Sequence, residues 1–339
     1  MPPLYLVEQG AVVQRDGQRI VVQKENRRLL SVPVFKVENV LIFGHVQITT
    51  QAIGLLLGHG IEVSFFTMSG RLKGRLVSTI SKNVLLRVHQ FSRAREEGFC
   101  LDVARRIIKA KIHNARLILI RFARNHPEVS LTQTIEQLGD IMREIEGTPS
   151  LSALRGKEGI AAAIYFQALG NLIRGGFTFV RRQKRPPRDP INALLSLGYT
   201  LLTNETIGRV SAHGFDPYLG FYHTLRYGRP SLALDLVEEF RHIVVDRLVL
   251  SLVNRRMIRP DEFEIRTNDG AMILKPQAFK QFLAAYEEYM RRPLSFRRRP
   301  TDLPAGRPIT YRDLIDLQVR RLARTVQTGQ PYVPFWAEE

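Results

Sequence analysis

The chain has 339 residues, 44% hydrophobic and 24% charged, an ordinary globular composition for about two domains with a buried core. Its 50 Lys and Arg against 32 Asp and Glu leave a net charge of +18, which favours a polyanionic partner, nucleic acid or an acidic membrane surface. The single cysteine, Cys100, excludes an intrachain disulfide and a thiolate-rich zinc site; no apolar run approaches the roughly 20 residues that span a bilayer, and the N-terminus lacks a secretory pattern, so a nucleic-acid partner in a reducing cytoplasm is expected.

The first eighty residues are written in strand-length pieces. "LYLVE", "AVVQ", "RIVVQ", "VENVLIFG", "VQITT" and "IEVSFFT" are short, rich in Val, Ile and aromatics, and separated by turn residues. Asp16-Gly17 between two of them predicts a tight hairpin. One short helix, "TQAIGLLLGHG", ends at Gly58 and Gly60. From about residue 84 the period becomes helical. "NVLLRVHQFSRAREEGFCLDVARRIIKAKIHNARLILIRFARNH" predicts a long basic helix with Cys100 as core filling. "SLTQTIEQLGDIMREIEG" follows, with Ser130 as its candidate cap. Further helices are read at "LRGKEGIAAAIYFQAL", "DPINALLSLGYTLLTNETIGRVSAHG", roughly 231–254, "KPQAFKQFLAAYEEYMRR" and "TYRDLIDLQVRRLARTVQTG". The expected fold class is α+β. A small β-rich domain at 1–82 precedes a larger all-α domain at 83–339.

Several residues along this course carry chemistry. Glu158 opens a stretch with no further charge through Ile173, so its helix is buried and the carboxylate needs a partner. At about 100° per residue, Asp235, Glu238, Glu239, His242 and Asp246 fall within about 100° of one another on the 231–254 helix. Such a stripe is either a solvated face paired with Arg241 or Arg247, or a site. His223 lies just upstream among aromatics in "GFYH", where a packed core histidine is the plain alternative to a ligand. Two carboxylates and one imidazole, Glu158, His223 and Glu238, would together suit Mg²⁺ or Mn²⁺. Dense arginine marks two loops. Arg174, Arg181, Arg182, Lys184, Arg185 and Arg188 form one run without an acid, and Arg291, Arg292, Arg297, Arg298 and Arg299 the other. The first is the better candidate for phosphate contacts; a solvated loop is the alternative for either. Tyr165 and Tyr199 are read as core packing, with base stacking as the alternative.

The segments "LRGKEGIAAAIYF", "RRPPRDPINALLSLGYTLL", "GFDPYLGFYH", "LALDLVEEFRHIVVDRLVLSLVNR" and "KIHNARLIL" together resemble the CRISPR-associated integrase family, the larger of the two universal spacer-acquisition proteins. The resemblance extends into "VPVFKVENVLIFGHVQITTQAIGLLLGHGIEVSFF" and covers nearly the whole chain. It implies an N-terminal β domain used for homodimerisation and a helical catalytic domain. It implies metal ligation by Glu158, His223 and Glu238, with Asp235 as an auxiliary acid. Many members carry aspartate where Glu238 stands, and Glu239 and Asp235 are close competitors for that role. The implied activity is metal-dependent DNA cleavage and joining of spacer 3′-hydroxyl ends to a repeat array. The implied partners are double-stranded DNA and a small ferredoxin-like second acquisition protein. A non-enzymatic nucleic-acid-binding protein with a structural acidic stripe is the competing reading. A hydrolase of small phosphorylated substrates is disfavoured by the two arginine runs.

Overall fold

The computed structural model describes residues 2–78, 81, 83–183, 186–296, 302–303 and 306–338. The chain divides into two compact units, Met1–Ile80 and Ser81–Glu339.

The first unit holds strands β1 (Leu4–Leu6), β2 (Val12–Asp16), β3 (Arg19–Lys24), β4 (Arg27–Pro33), β5 (Asn39–Phe43), β6 (Gln47–Ile48), β7 (Glu62–Phe66) and β8 (Leu72–Leu76), with helix α1 (Thr50–Gly58). They form two four-stranded sheets, β1-β5-β7-β8 and β4-β3-β2-β6. In the first sheet β1, β5 and β7 run parallel and β8 is antiparallel. Val40, Leu41, Ile42 and Phe43 of β5 are all buried, as expected of a parallel strand with both faces covered. The core joins Val13, Ile20 and Val22 to Val40, Ile42, Leu56 and Val63.

The β2–β3 hairpin pairs Asp16 with Arg19. Its turn is therefore Gly17-Gln18, one residue later than the sequence suggested, and the positive φ of 57° falls on Gly17. The sequence reading passed over β4 and β8. β4 is an exposed edge strand beginning Arg27-Arg28, so it lacks the apolar alternation that betrays a half-buried strand. It is joined to β3 by Glu25 and Asn26, both at positive φ (49° and 63°), the pattern of a tight two-residue turn.

The second unit is mostly helical: α2 (Val84–Arg93), α3 (Glu97–Asn125), α4 (Thr132–Glu144), α5 (Leu151–Leu172), α6 (Pro190–His213), α7 (Ser231–Val237), α8 (Arg247–Asn254), α9 (Pro276–Arg291) and α10 (Tyr311–Thr328). It is not all-α, because β9 (Phe263–Ile265) and β10 (Met272–Leu274) form an antiparallel pair. The long basic helix read from residue 84 is two helices, divided by tight turns at Ala94–Glu96. Ser130 does not cap α4, whose N-cap position is Leu131 without a side-chain bond. Other caps follow the sequence logic. Ser150 accepts from the Ala153 amide at the start of α5, and Asp189 accepts from the Asn192 amide before Pro190 of α6. Cys100 is buried.

Candidate active site

Three elements bring the candidate residues together. α5 carries Glu158, α3 runs beside it, and the turn after α7 carries Glu238. Between the two carboxylates lies the ammonium of Lys111, from the middle of α3. Its Nζ contacts Glu158 Oε1 and stands 2.6 Å from Glu238 Oε2. One Arg241 nitrogen lies 2.9 Å from both Glu238 oxygens. Burial would raise the Glu238 pKa, but Arg241 and Lys111 hold the carboxyl well below the usual range.

His223 completes the cluster from the loop before α7. Its Nε2 is 3.8 Å from Glu238 Oε1, and its Nδ1 is 2.7 Å from Asp235 Oδ1. A carboxylate only accepts, so in the neutral ring Nδ1 carries the proton and Nε2 turns its lone pair toward Glu238. Asp235 is fully buried and also accepts from the amides of Phe221 (2.7 Å), Tyr222 (3.0 Å) and His223 (2.9 Å). A Cβ at Gly220 would stand 2.5 Å from Asp235 Oδ2, so only glycine lets the loop close on that carboxylate. From α5, Arg155 donates to the Tyr222 carbonyl at 2.7 Å and lies over the Tyr222 ring.

The acidic stripe expected on one helix face is absent. The region is a short α-helix, a turn, a π-helical segment (His242–Asp246) and α8, so a constant angle per residue does not hold. Every member is buried and takes its own partner. Glu239 turns away from Glu238. It accepts from Tyr332 Oη (2.5 Å), the Phe335 amide (2.6 Å) and Gln318 Nε2 (2.8 Å), and burial pushes its carboxyl up to about 7 against those bonds. Asp246 accepts from Tyr165 Oη at 3.0 Å, from Tyr199 Oη, and faces His242 Nδ1 at 2.6 Å. Tyr165 and Tyr199 are thus packed core residues.

Among the arginines of the first run, Arg174, Arg181 and Arg188 are exposed. Arg174 pairs with Glu128 at 2.7 Å, and Arg188 donates to the Gly270 carbonyl at 3.0 Å. Arg182 is turned inward onto Asn192, Ser196 and the Tyr199 ring. Lys184 and Arg185 lie outside the described residues, as do Arg297, Arg298 and Arg299 of the second run; Arg291 and Arg292 are exposed.

Sequence reasoning missed Lys111 and gave Arg241 only a surface role. The signal for Lys111 was present: Ala104, Ile107, Ile108, Ala115 and Ile118 are buried at helical spacing, and Lys111 occupies the same face. Among the described residues no group of three or more His, Cys, Asp or Glu side chains is gathered closely enough to hold a metal ion. The donor chemistry nevertheless fits one. Two carboxylates flank a position already taken by a cation, the Lys111 ammonium, and an imidazole nitrogen faces the second of them.

The family model for CRISPR associated protein Cas1 matches residues 4–288. A CRISPR-associated exonuclease Cas4/endonuclease Cas1 fusion of Geobacter sulfurreducens is 37% identical over 98% of this chain, which spans 59% of the fusion's length. The CRISPR-associated endonuclease Cas1 2 of Rhodospirillum rubrum is 35% identical over 98% of this chain and 97% of its own. Among solved structures, a chain of a Cas6-RT-Cas1–Cas2 complex superposes with a TM-score of 0.83 at 25% identity. That match covers 99% of this chain and 36% of that one.

Proposed function

This chain belongs to the Cas1 family, and on that premise we propose that it is a divalent-metal-dependent DNA endonuclease and integrase of CRISPR adaptation. It joins the 3′-hydroxyl ends of spacer DNA to a repeat array by transesterification. The observation that carries this reading is the convergence of Glu158 and Glu238 on the Lys111 ammonium, with His223 Nε2 3.8 Å from the other Glu238 oxygen. Glu158, Glu238 and His223 would hold Mg²⁺ or Mn²⁺, and Asp235 is the auxiliary acid that fixes the His223 ring. When bound, the ion supplies charge withdrawal from the scissile phosphate and orients the attacking oxygen. The protein's own part is to orient the His223 ring through Asp235 and to keep the Glu238 carboxyl ionised. The low pKa of Glu238 supports the latter.

Arg174, Arg181 and Arg188, with Lys184 and Arg185, are the proposed contacts to the phosphates of double-stranded DNA. Arg182 instead braces that loop against α6. The N-terminal unit, residues 1–82 in the sequence reading, is the proposed homodimer surface. A small ferredoxin-like second acquisition protein is the proposed partner, supported by the relative solved in complex with Cas2. No described helix is long and apolar enough to cross a membrane, and the cytoplasm is the proposed site of action.

The test incubates purified protein with labelled DNA bearing free 3′-hydroxyl ends and a supercoiled repeat-containing plasmid, in Mn²⁺, Mg²⁺ or EDTA. Joining and nicking are expected with metal only, and Glu158→Ala should lower both by more than about 100-fold. Undiminished activity in that variant removes the site assignment. Tight DNA binding without chemistry, in both proteins and with the partner added, establishes the competing reading of a nucleic-acid-binding protein.

A further inference from the structure

We infer that Lys111 is the built-in counter-ion of the metal-free site, holding Glu158 and Glu238 together until a divalent ion displaces it. The inference rests on the metal-site reading above and adds a residue that competes with the metal.

Lys111 lies on the buried face of α3, and only 6% of its side chain is exposed. A buried ammonium is costly unless carboxylates surround it, and buried carboxylates are equally costly without a cation. Lys111 meets both needs at once, through Glu158 and Glu238. The two basic residues around Glu238 are built differently. Arg241 is stacked on the Tyr199 ring, 4.4 Å from its centroid, and placed against both Glu238 oxygens, so it is locked in place. Lys111 makes single-point contacts at the end of a flexible four-carbon stem. A divalent ion taking the same oxygens repels the ammonium at contact distance in a medium of low dielectric. Lys111 is the cation free to swing aside, and Arg241 stays to anchor Glu238.

Removing Lys111 therefore has two opposite effects. The metal-free site is left with neighbouring carboxylates and loses stability, while the metal no longer has to expel a cation. Full-length wild type and Lys111→Met are titrated with Mn²⁺ by calorimetry at pH 8 and melted in EDTA and in Mn²⁺. The variant should bind Mn²⁺ roughly tenfold more tightly. Its Tm should fall in EDTA and recover in Mn²⁺ by more than the wild type gains. Lys111→Gln, which keeps a polar side chain, should shift both readings the same way and serves if Lys111→Met does not fold in EDTA. A lysine with a merely structural role would lower stability in both buffers without tightening Mn²⁺ binding. Wild type that binds Mn²⁺, with variants that bind equally or more weakly, overturns the inference and leaves the metal site standing. Absence of Mn²⁺ binding by wild type and variants alike defeats the metal-site reading and the inference with it.

Discussion

Asp235 is engaged entirely by one stretch of loop. One oxygen accepts from the Phe221 and Tyr222 amides, and the other takes the His223 amide and ring. It therefore acts through His223, fixing both the backbone position and the tautomer. An asparagine at this place would turn an NH₂ toward donors. Asp235→Asn is accordingly expected to cut metal-dependent joining by about 10–100-fold. Nicking and joining assays check the loss, with far-UV circular dichroism to establish that the helices persist. Wild-type rates in that variant would show that the imidazole orientation does not matter.

At the scale of elements, the turn at Glu238–Phe240 matters most, because it sends adjacent side chains in opposite directions. Glu238 goes to Lys111 and Arg241, while Glu239 goes to the C-terminal segment. That segment, "PYVPFWAE", lies on its own unit. Phe335 stacks on Phe240, Trp336 packs edge-on against His113, and Asn114 bonds the Phe335 carbonyl (3.1 Å), the Ala337 amide (2.9 Å) and the Glu239 carbonyl (2.8 Å). Asn114→Ala leaves those buried groups unpaired, an expected loss of about 1–3 kcal/mol per group. Hydrogen exchange should then show faster exchange at the Phe335 and Ala337 amides, with α5 unchanged. Unaltered protection would mean that the Glu239 and Gln318 bonds alone secure the tail.

At the scale of the whole molecule, a net charge of +18 makes DNA affinity a matter of counterion release. Each phosphate contact contributes about 0.9 to the slope of log K against log salt on duplex DNA. The triple variant Arg174→Ala, Arg181→Ala, Arg188→Ala should lower that slope by about 2 to 3. Fluorescence anisotropy with a labelled duplex across a salt series measures it. An unchanged slope would place the duplex elsewhere on the surface.

The sequence by itself determined the order of the two units, because a period near 2 before residue 80 and near 3.6 after it are local backbone properties. It also drew attention to Glu158, as a charge in an apolar helix, and to an acidic stretch in a basic chain, while the family resemblance named His223 and Glu238. Only the tertiary structure decided what those charges face. Lys111, Glu158 and Glu238 come from α3, α5 and the turn after α7, far apart along the chain, and no periodicity links them. The split between Glu238 and Glu239 is made in the turn between α7 and the π-helical segment, an interruption that no helical wheel contains. A buried charge must find its counter-charge wherever the fold supplies one, and that choice is made through space in a low dielectric.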